Sequence, residues 1–77
     1  METTSTLAHR VAAELRAEMA RQGKSVAELS LVLGVTTKTG RTRYNGQTEL
    51  SLNEVGLASA WLGVSHWQLL NLERSAA

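Results

Sequence analysis

Basic and hydrogen-bonding side chains are concentrated between residues 36 and 48, where the chain reads TTKTGRTRYNGQT. If Thr37 opens an α-helix, a turn of about 100° per residue brings five side chains within about 140° of arc. This face carries Thr37, Lys38, Arg41, Thr42 and Asn45. Arginine and lysine donate to guanine, asparagine pairs with adenine, and the threonine methyl contacts thymine. An ordinary polar helix face is the simpler alternative.

The first turns of such a helix lie deepest in the major groove of DNA. We therefore expect direct base contacts from Thr37, Lys38, Arg41 and Thr42.

A second set of residues suits the sugar–phosphate backbone, because helix N-termini and basic side chains attract anions. The expected backbone contacts are Arg21, Lys24, Ser25, Thr36, Arg43, Asn45 and Thr48. Backbone contacts set register and salt dependence but not sequence preference.

The formal net charge of +1 conceals an uneven distribution. Residues 21–48 hold five basic residues and one glutamate, a net +4, whereas the rest holds three basic and six acidic residues, a net −3. No acidic residue occurs between positions 29 and 47. A local positive segment steers polyanions to one side of a protein. Charge alone also allows a solvated basic surface with no partner.

Two predicted helices joined by a short turn position this segment, over about residues 25–45. Ser25 and Glu28 form a capping-box signature for the start of the first helix. Gly34 is suited to end it, and Thr36 is suited to cap the next. This arrangement is typical of a helix-turn-helix, whose second helix enters the major groove.

Three further helices are predicted around this pair. The first begins at Thr4 or Thr6, ends at Gly23, and repeats apolar residues along one face at Leu7, Val11, Leu15 and Met19. Capping boxes at residues 51–54 and 65–68 open helices four and five, over about residues 51–72. No strand-like alternation occurs, so we predict an all-α, compact five-helix bundle.

Composition narrows the class of protein further. A length of 77 residues predicts one domain over 1–77. The chain has no cysteine and only two histidines, far apart in the sequence, so no metal site or cofactor is expected. No apolar run could cross a membrane, and no signal peptide is recognisable, so a cytoplasmic protein is expected. The chain contains no acid–base pair, nucleophile constellation or phosphate-binding glycine loop, and we do not expect an enzyme.

Several short motifs resemble the lambda-repressor/Cro-like (XRE) helix-turn-helix family. They are Gly23-Lys-Ser25, Ala27-Glu-Leu29, Leu33-Gly-Val-Thr36 and Asn45-Gly46, followed by Leu52-Asn-Glu54, Leu62-Gly-Val-Ser65 and Leu69-Leu70. The resemblance covers about residues 7–72 and implies a lambda-repressor-like, five-helix DNA-binding domain that acts on operators, often as a dimer. Members of the family serve as phage repressors and Cro proteins, as antitoxins, and as small bacterial regulators.

The chain departs from the family pattern at several positions. Val26 replaces a glutamine that contacts phosphate, and Ser30 replaces a small alanine. Gly40 stands where the pattern has a buried valine or isoleucine, and Tyr44 replaces an aliphatic residue one turn later. Glycine inside a helix costs about 1 kcal/mol relative to alanine. The missing side chain at Gly40 also removes buried support, and Tyr44 is expected to fill part of the space. We therefore expect the third helix to be short, softly held or partly ordered by DNA.

Large apolar residues near the C-terminus suggest a homodimer on a palindromic site, since one small domain touches few bases. The candidate patch is Trp61, Trp67, Leu70 and Leu72, with core packing as the alternative.

The sequence leaves two functions open. One is a bacterial or phage-encoded, sequence-specific transcriptional regulator of the Cro/repressor type that reads a double-stranded DNA operator. The other is an antitoxin-like protein-interaction module that masks a partner protein.

Overall fold

The computed structural model describes residues 3–65 together with Leu69, and this part of the chain contains four α-helices and no strand. The helices are α1 (Thr3–Gln22), α2 (Val26–Leu33), α3 (Thr37–Asn45) and α4 (Leu52–Leu62). The predicted all-α class is therefore confirmed.

The fifth helix of the predicted bundle falls mostly outside the described residues. Within that segment the structure places Ser65 and Leu69, and the Leu69 amide donates to the Ser65 carbonyl at 3.3 Å. The Leu69 side chain is buried in the core formed by α1, α2 and α4. The described residues thus show four helices rather than five.

Two of the predicted capping boxes are present with both of their hydrogen bonds. At α2, the Glu28 amide donates to Ser25 Oγ at 3.2 Å, and the Ser25 amide donates to Glu28 Oε1 at 2.7 Å. At α4, the corresponding distances between Ser51 and Glu54 are 3.1 and 2.9 Å. These bonds satisfy amides that a helix start leaves without partners, which is why both helices begin where the sequence predicts.

The start of α1 was predicted incorrectly. The helix already includes Thr3, so Thr4 and Thr6 lie inside it and neither is its N-cap. Its predicted end is confirmed, because Gly23 follows the last helical residue.

A three-residue turn separates α2 from α3. Gly34 ends α2 in the left-handed region (φ 73°), where a side chain would be strained. Its amide and that of Val35 donate to the carbonyls of Leu31 and Ser30, at 3.2 and 3.0 Å. This Schellman pattern satisfies the last carbonyls of α2. Thr36 Oγ1 then accepts from the Thr39 amide at 3.2 Å, so Thr36 is the N-cap of α3 as predicted.

The core lies between α1, α2 and α4. It contains Leu15, Met19, Leu29, Leu33, Val55, Ala58, Leu62 and Leu69. α3 packs on α1 and α2, yet the buried residue that it contributes is Gly40, and its Tyr44 is half-buried against the core. α3 therefore rests on the domain with little apolar burial of its own.

Candidate nucleic-acid interface

The predicted division of α3 into two sides agrees with the burial of its residues. Thr37, Lys38, Arg41 and Asn45 are exposed, whereas Gly40 is buried. Thr42 is half-buried at the edge, and its hydroxyl donates to the Thr39 carbonyl at 2.8 Å. The outer face, defined as Thr37, Lys38, Arg41, Thr42 and Asn45, is thus one continuous side of the helix.

The two helix N-termini proposed for phosphate differ in their electrostatics. At α2, the Ser25 amide already donates to the Glu28 carboxylate, which places a negative charge where the phosphate was expected. At α3, the cap is the neutral Thr36, and the first turn contains no acidic residue. A helix N-terminus carries partial positive charge. The start of α3 therefore suits an anion better than the start of α2.

Gly40 does not leave a gap beneath α3, so the expectation of missing buried support is wrong. A Cβ on Gly40 would collide with Ser30 Oγ and would lie 2.9 Å from Ser30 Cβ and 3.3 Å from Ser30 Cα. Ser30 is itself buried, and its hydroxyl donates to the Val26 carbonyl at 2.9 Å. The backbones of α2 and α3 thus approach so closely at Gly40 that an aliphatic residue would not fit. Softness of α3 in solution stays a prediction.

Arg16 of α1 holds the C-terminal end of α3, a contact that sequence reasoning missed. Its Nη1 donates to the Tyr44 carbonyl at 2.8 Å, and its guanidinium carbon lies 5.9 Å from the centre of the Tyr44 ring. A cation near a helix C-terminus also interacts favourably with the helix dipole. No local sequence signal announces this contact, because the acceptor is a backbone carbonyl 28 positions away.

Arg43, predicted to contact phosphate, is paired with Glu54 of α4. Arg43 Nε donates to Glu54 Oε1 at 3.0 Å, and the two side chains are 20% and 13% exposed. Partial burial alone would raise the pKa of Glu54. The hydrogen bonds from Arg43 and from the Ser51 amide outweigh burial and hold that pKa below its usual range.

The other two basic residues proposed for the backbone also contact their own chain. Arg21 pairs with Glu18 through Nε at 3.1 Å, and this hydrogen bond lowers the pKa of Glu18. Lys24 Nζ lies 5.4 Å from the centre of the Trp61 ring, within the range of a cation–π interaction. The Arg21 side chain stays 58% exposed, so its pairing leaves it accessible.

The remaining predicted site residues are divided between the described and undescribed parts of the chain. Thr48 is exposed, and its amide donates to the Thr42 carbonyl at 3.3 Å. Trp61 of the predicted dimer patch is half-buried against the core. The other three residues of that patch, Trp67, Leu70 and Leu72, lie outside the described residues.

Among residues 3–65 and Leu69, no three or more histidine, cysteine or acidic side chains are grouped to hold a metal ion. None of the helices in the same residues has both the length and the apolar character needed to span a bilayer.

In comparisons with known proteins, no family model, curated protein or solved structure matches this chain.

Proposed function

We propose that this protein is a sequence-specific, double-stranded DNA-binding transcriptional regulator of the lambda-repressor/Cro type. In this proposal α2 and α3 are the two helices of a helix-turn-helix, and α3 is the recognition helix. The observation that carries the proposal is the outer face of α3, which exposes Lys38 and Arg41 together with Thr37 and Asn45. These are the side-chain types that read base edges in the major groove.

The proposed recognition combines two kinds of contact. Lys38 and Arg41 bond to guanines, while Thr37 and Thr42 contact neighbouring base edges. The N-terminus of α3 at Thr36, which has no acidic residue in its first turn, receives a backbone phosphate. Lys24, Lys38 and Arg41 are the basic residues of this segment for which the described residues show no ion pair, and they steer the protein to DNA and make binding salt-dependent.

A helix of nine residues reaches only a few base pairs, so the proposed regulator acts as a homodimer. Two copies related by a two-fold axis place their recognition helices about 34 Å apart on the duplex. This geometry requires a palindromic operator with half-sites one helical turn apart. Such a regulator works where the operator is, in the cytoplasm of a bacterial cell.

Selection of bound sites from a random duplex library tests the proposal directly. We expect enrichment of one palindromic motif with a half-site spacing of about 10 base pairs. A variant in which Arg41, Lys38 and Thr37 are all changed to alanine is the matched control and should enrich no motif. If the unaltered protein also enriches none, the proposal fails, and the antitoxin-like interaction module becomes the better hypothesis.

A further inference from the structure

One ion pair joins α3 and α4, whose backbones lie apart in the described part of the chain. No Cα atom of α3 lies within 8 Å of a Cα atom of α4. Arg43 near the end of α3 and Glu54 in the first turn of α4 nevertheless meet at 3.0 Å. The two side chains therefore link helices whose backbones do not pack together.

The Glu54 carboxylate is fixed independently of Arg43. The same oxygen, Oε1, accepts the Ser51 amide at 2.9 Å as part of the capping box of α4. The carboxylate is thus attached to the start of a helix that packs on both α1 and α2. It offers Arg43 a partner with a defined position rather than a flexible surface charge.

Arg43 is directed away from the outer face. On the 100° construction it lies at about 240°, and the outer face is centred near about 70°, so the two are almost opposite. Its side chain is 20% exposed and its Nε is bonded to Glu54. A residue in this position is poorly placed to contact the phosphates that border the groove entered by α3.

We propose that Arg43 and Glu54 are positioning residues for DNA recognition, and that their ion pair sets the orientation of α3 on the domain. This inference rests on the proposed function. Gly40 is the fully buried residue of α3 and Tyr44 is half-buried against the core, so polar anchors add to the limited apolar packing that orients the helix. Orienting the helix before binding reduces the ordering that binding must impose.

The test uses Arg43→Met, Glu54→Gln and the double variant on the full chain. Methionine keeps most of the arginine stem, and glutamine at this position can still serve the capping box. Glu28→Gln is the matched control, because Glu28 has the same capping role at α2 and forms no ion pair within the described residues. Affinity is measured for a selected duplex and an unselected duplex, each over a range of salt concentrations.

Each single change should weaken binding to the selected duplex about tenfold, a coupling typical of residues in contact. The double variant should lose no more than either single variant. Binding to the unselected duplex and the salt dependence should stay unchanged. Glu28→Gln removes the negative charge at the start of α2, so it should change the affinity for both duplexes by the same factor and leave their ratio unaltered. Arg43→Lys, which keeps the charge, should recover part of the lost affinity.

Two results would overturn the inference. If Arg43→Met weakens both duplexes and reduces the salt slope by about one unit, Arg43 is a phosphate contact instead. If Glu54→Gln tightens binding, the carboxylate restrains Arg43 rather than orienting α3.

Hydrogen exchange in the free protein separates this inference from the proposed function. The α3 amides should exchange faster in Arg43→Met and Glu54→Gln than in Glu28→Gln, whether or not any DNA is bound. Equal exchange in all three variants would refute the positioning role. Faster exchange in a protein that selects no duplex would refute only the DNA-binding function.

Discussion

The two sides of α3 differ in how their side chains are used. On the inner side, Gly40 lies against Ser30, Tyr44 is held by Arg16, and Arg43 pairs with Glu54. On the outer face, Lys38 and Arg41 make no hydrogen bond or ion pair within the described part of the chain. Polar side chains without an internal partner do not stabilise a fold. The inner side therefore stabilises the helix on the domain, and the outer face is the side that we propose for DNA binding.

Substitution of Gly40 by valine should produce the largest effect, a loss of about 3 kcal/mol in the free energy of unfolding, at the upper end of the overpacking range. Even the Cβ atom would meet Ser30 Cβ at 2.9 Å and Ser30 Cα at 3.3 Å, and rotation of the serine hydroxyl relieves neither contact. Urea unfolding followed by circular dichroism measures the loss.

For Gly40→Ala, helix propensity and the contact with Ser30 predict changes of opposite sign in the free energy of unfolding. Helix propensity alone would make alanine about 1 kcal/mol more stable than glycine. The contact with Ser30 predicts that it is less stable. Ser30→Gly, which removes the hydroxyl and Cβ, should make Gly40→Ala less damaging than in the unaltered protein. An alanine variant more stable than the original chain would show that α2 and α3 do not approach closely here.

Arg41→Ala should leave unfolding within about 0.5 kcal/mol of the original, as exposed substitutions usually do. It should cost about 2 kcal/mol of binding to the selected duplex and relax the preference at one base position. Lys24→Ala should instead weaken all duplexes alike and reduce the salt dependence. Binding is measured by fluorescence anisotropy, with Arg10→Ala as a charge-matched control on α1. A uniform loss for Arg41→Ala would assign Arg41 to the backbone rather than to a base.

Thr36→Ala tests the boundary between the two sides, because Thr36 caps α3 and is also a proposed phosphate contact. The Thr39 amide loses its acceptor, which should lower the free energy of unfolding by about 1 kcal/mol. Thr36→Ser keeps the hydroxyl and should match the original protein in both thermal unfolding and DNA binding. An alanine variant of unchanged stability would mean that α3 begins independently of its cap.

Local signals in the sequence predicted most of the fold. The capping boxes at Ser25 and Ser51 and the glycine at position 34 depend on residues within a few positions of one another, so their spacing is visible directly. The outer face follows from helical periodicity in the same way. The initial threonine of α1 was missed because several threonines stand close together and each could be a cap.

Contacts between distant segments could not be predicted in this way. The sequence suggests a packing defect at Gly40, because a glycine in a sequence does not show what faces it, and only the position of Ser30 explains the glycine. The Arg43–Glu54 pair is equally hidden, since Glu54 already has a complete local role as a cap. The inner side of α3 was therefore less predictable than the outer face.

The smallest predicted effect concerns the acid stability that the Arg43–Glu54 pair supplies. The pKa of Glu54 is lowered in the folded state, so its contribution is complete above the unfolded value of about 4.3 and is lost as pH falls through the lower folded pKa. At neutral pH the original protein should exceed Glu54→Gln by about 0.2–1 kcal/mol in unfolding free energy, a range typical of ion pairs at protein surfaces. This difference should shrink as the pH falls below about 4.3. Glu18 also has a lowered pKa, but it is present in both proteins, so its contribution cancels in the comparison.

With Arg43→Met as the background, the same comparison should show a weaker pH dependence, because the arginine that lowers the pKa of Glu54 is gone. If the pH dependence of this stability difference is undiminished in the Arg43→Met background, the Ser51 amide is the dominant partner of Glu54. The ion pair would then contribute no electrostatic coupling between α3 and α4.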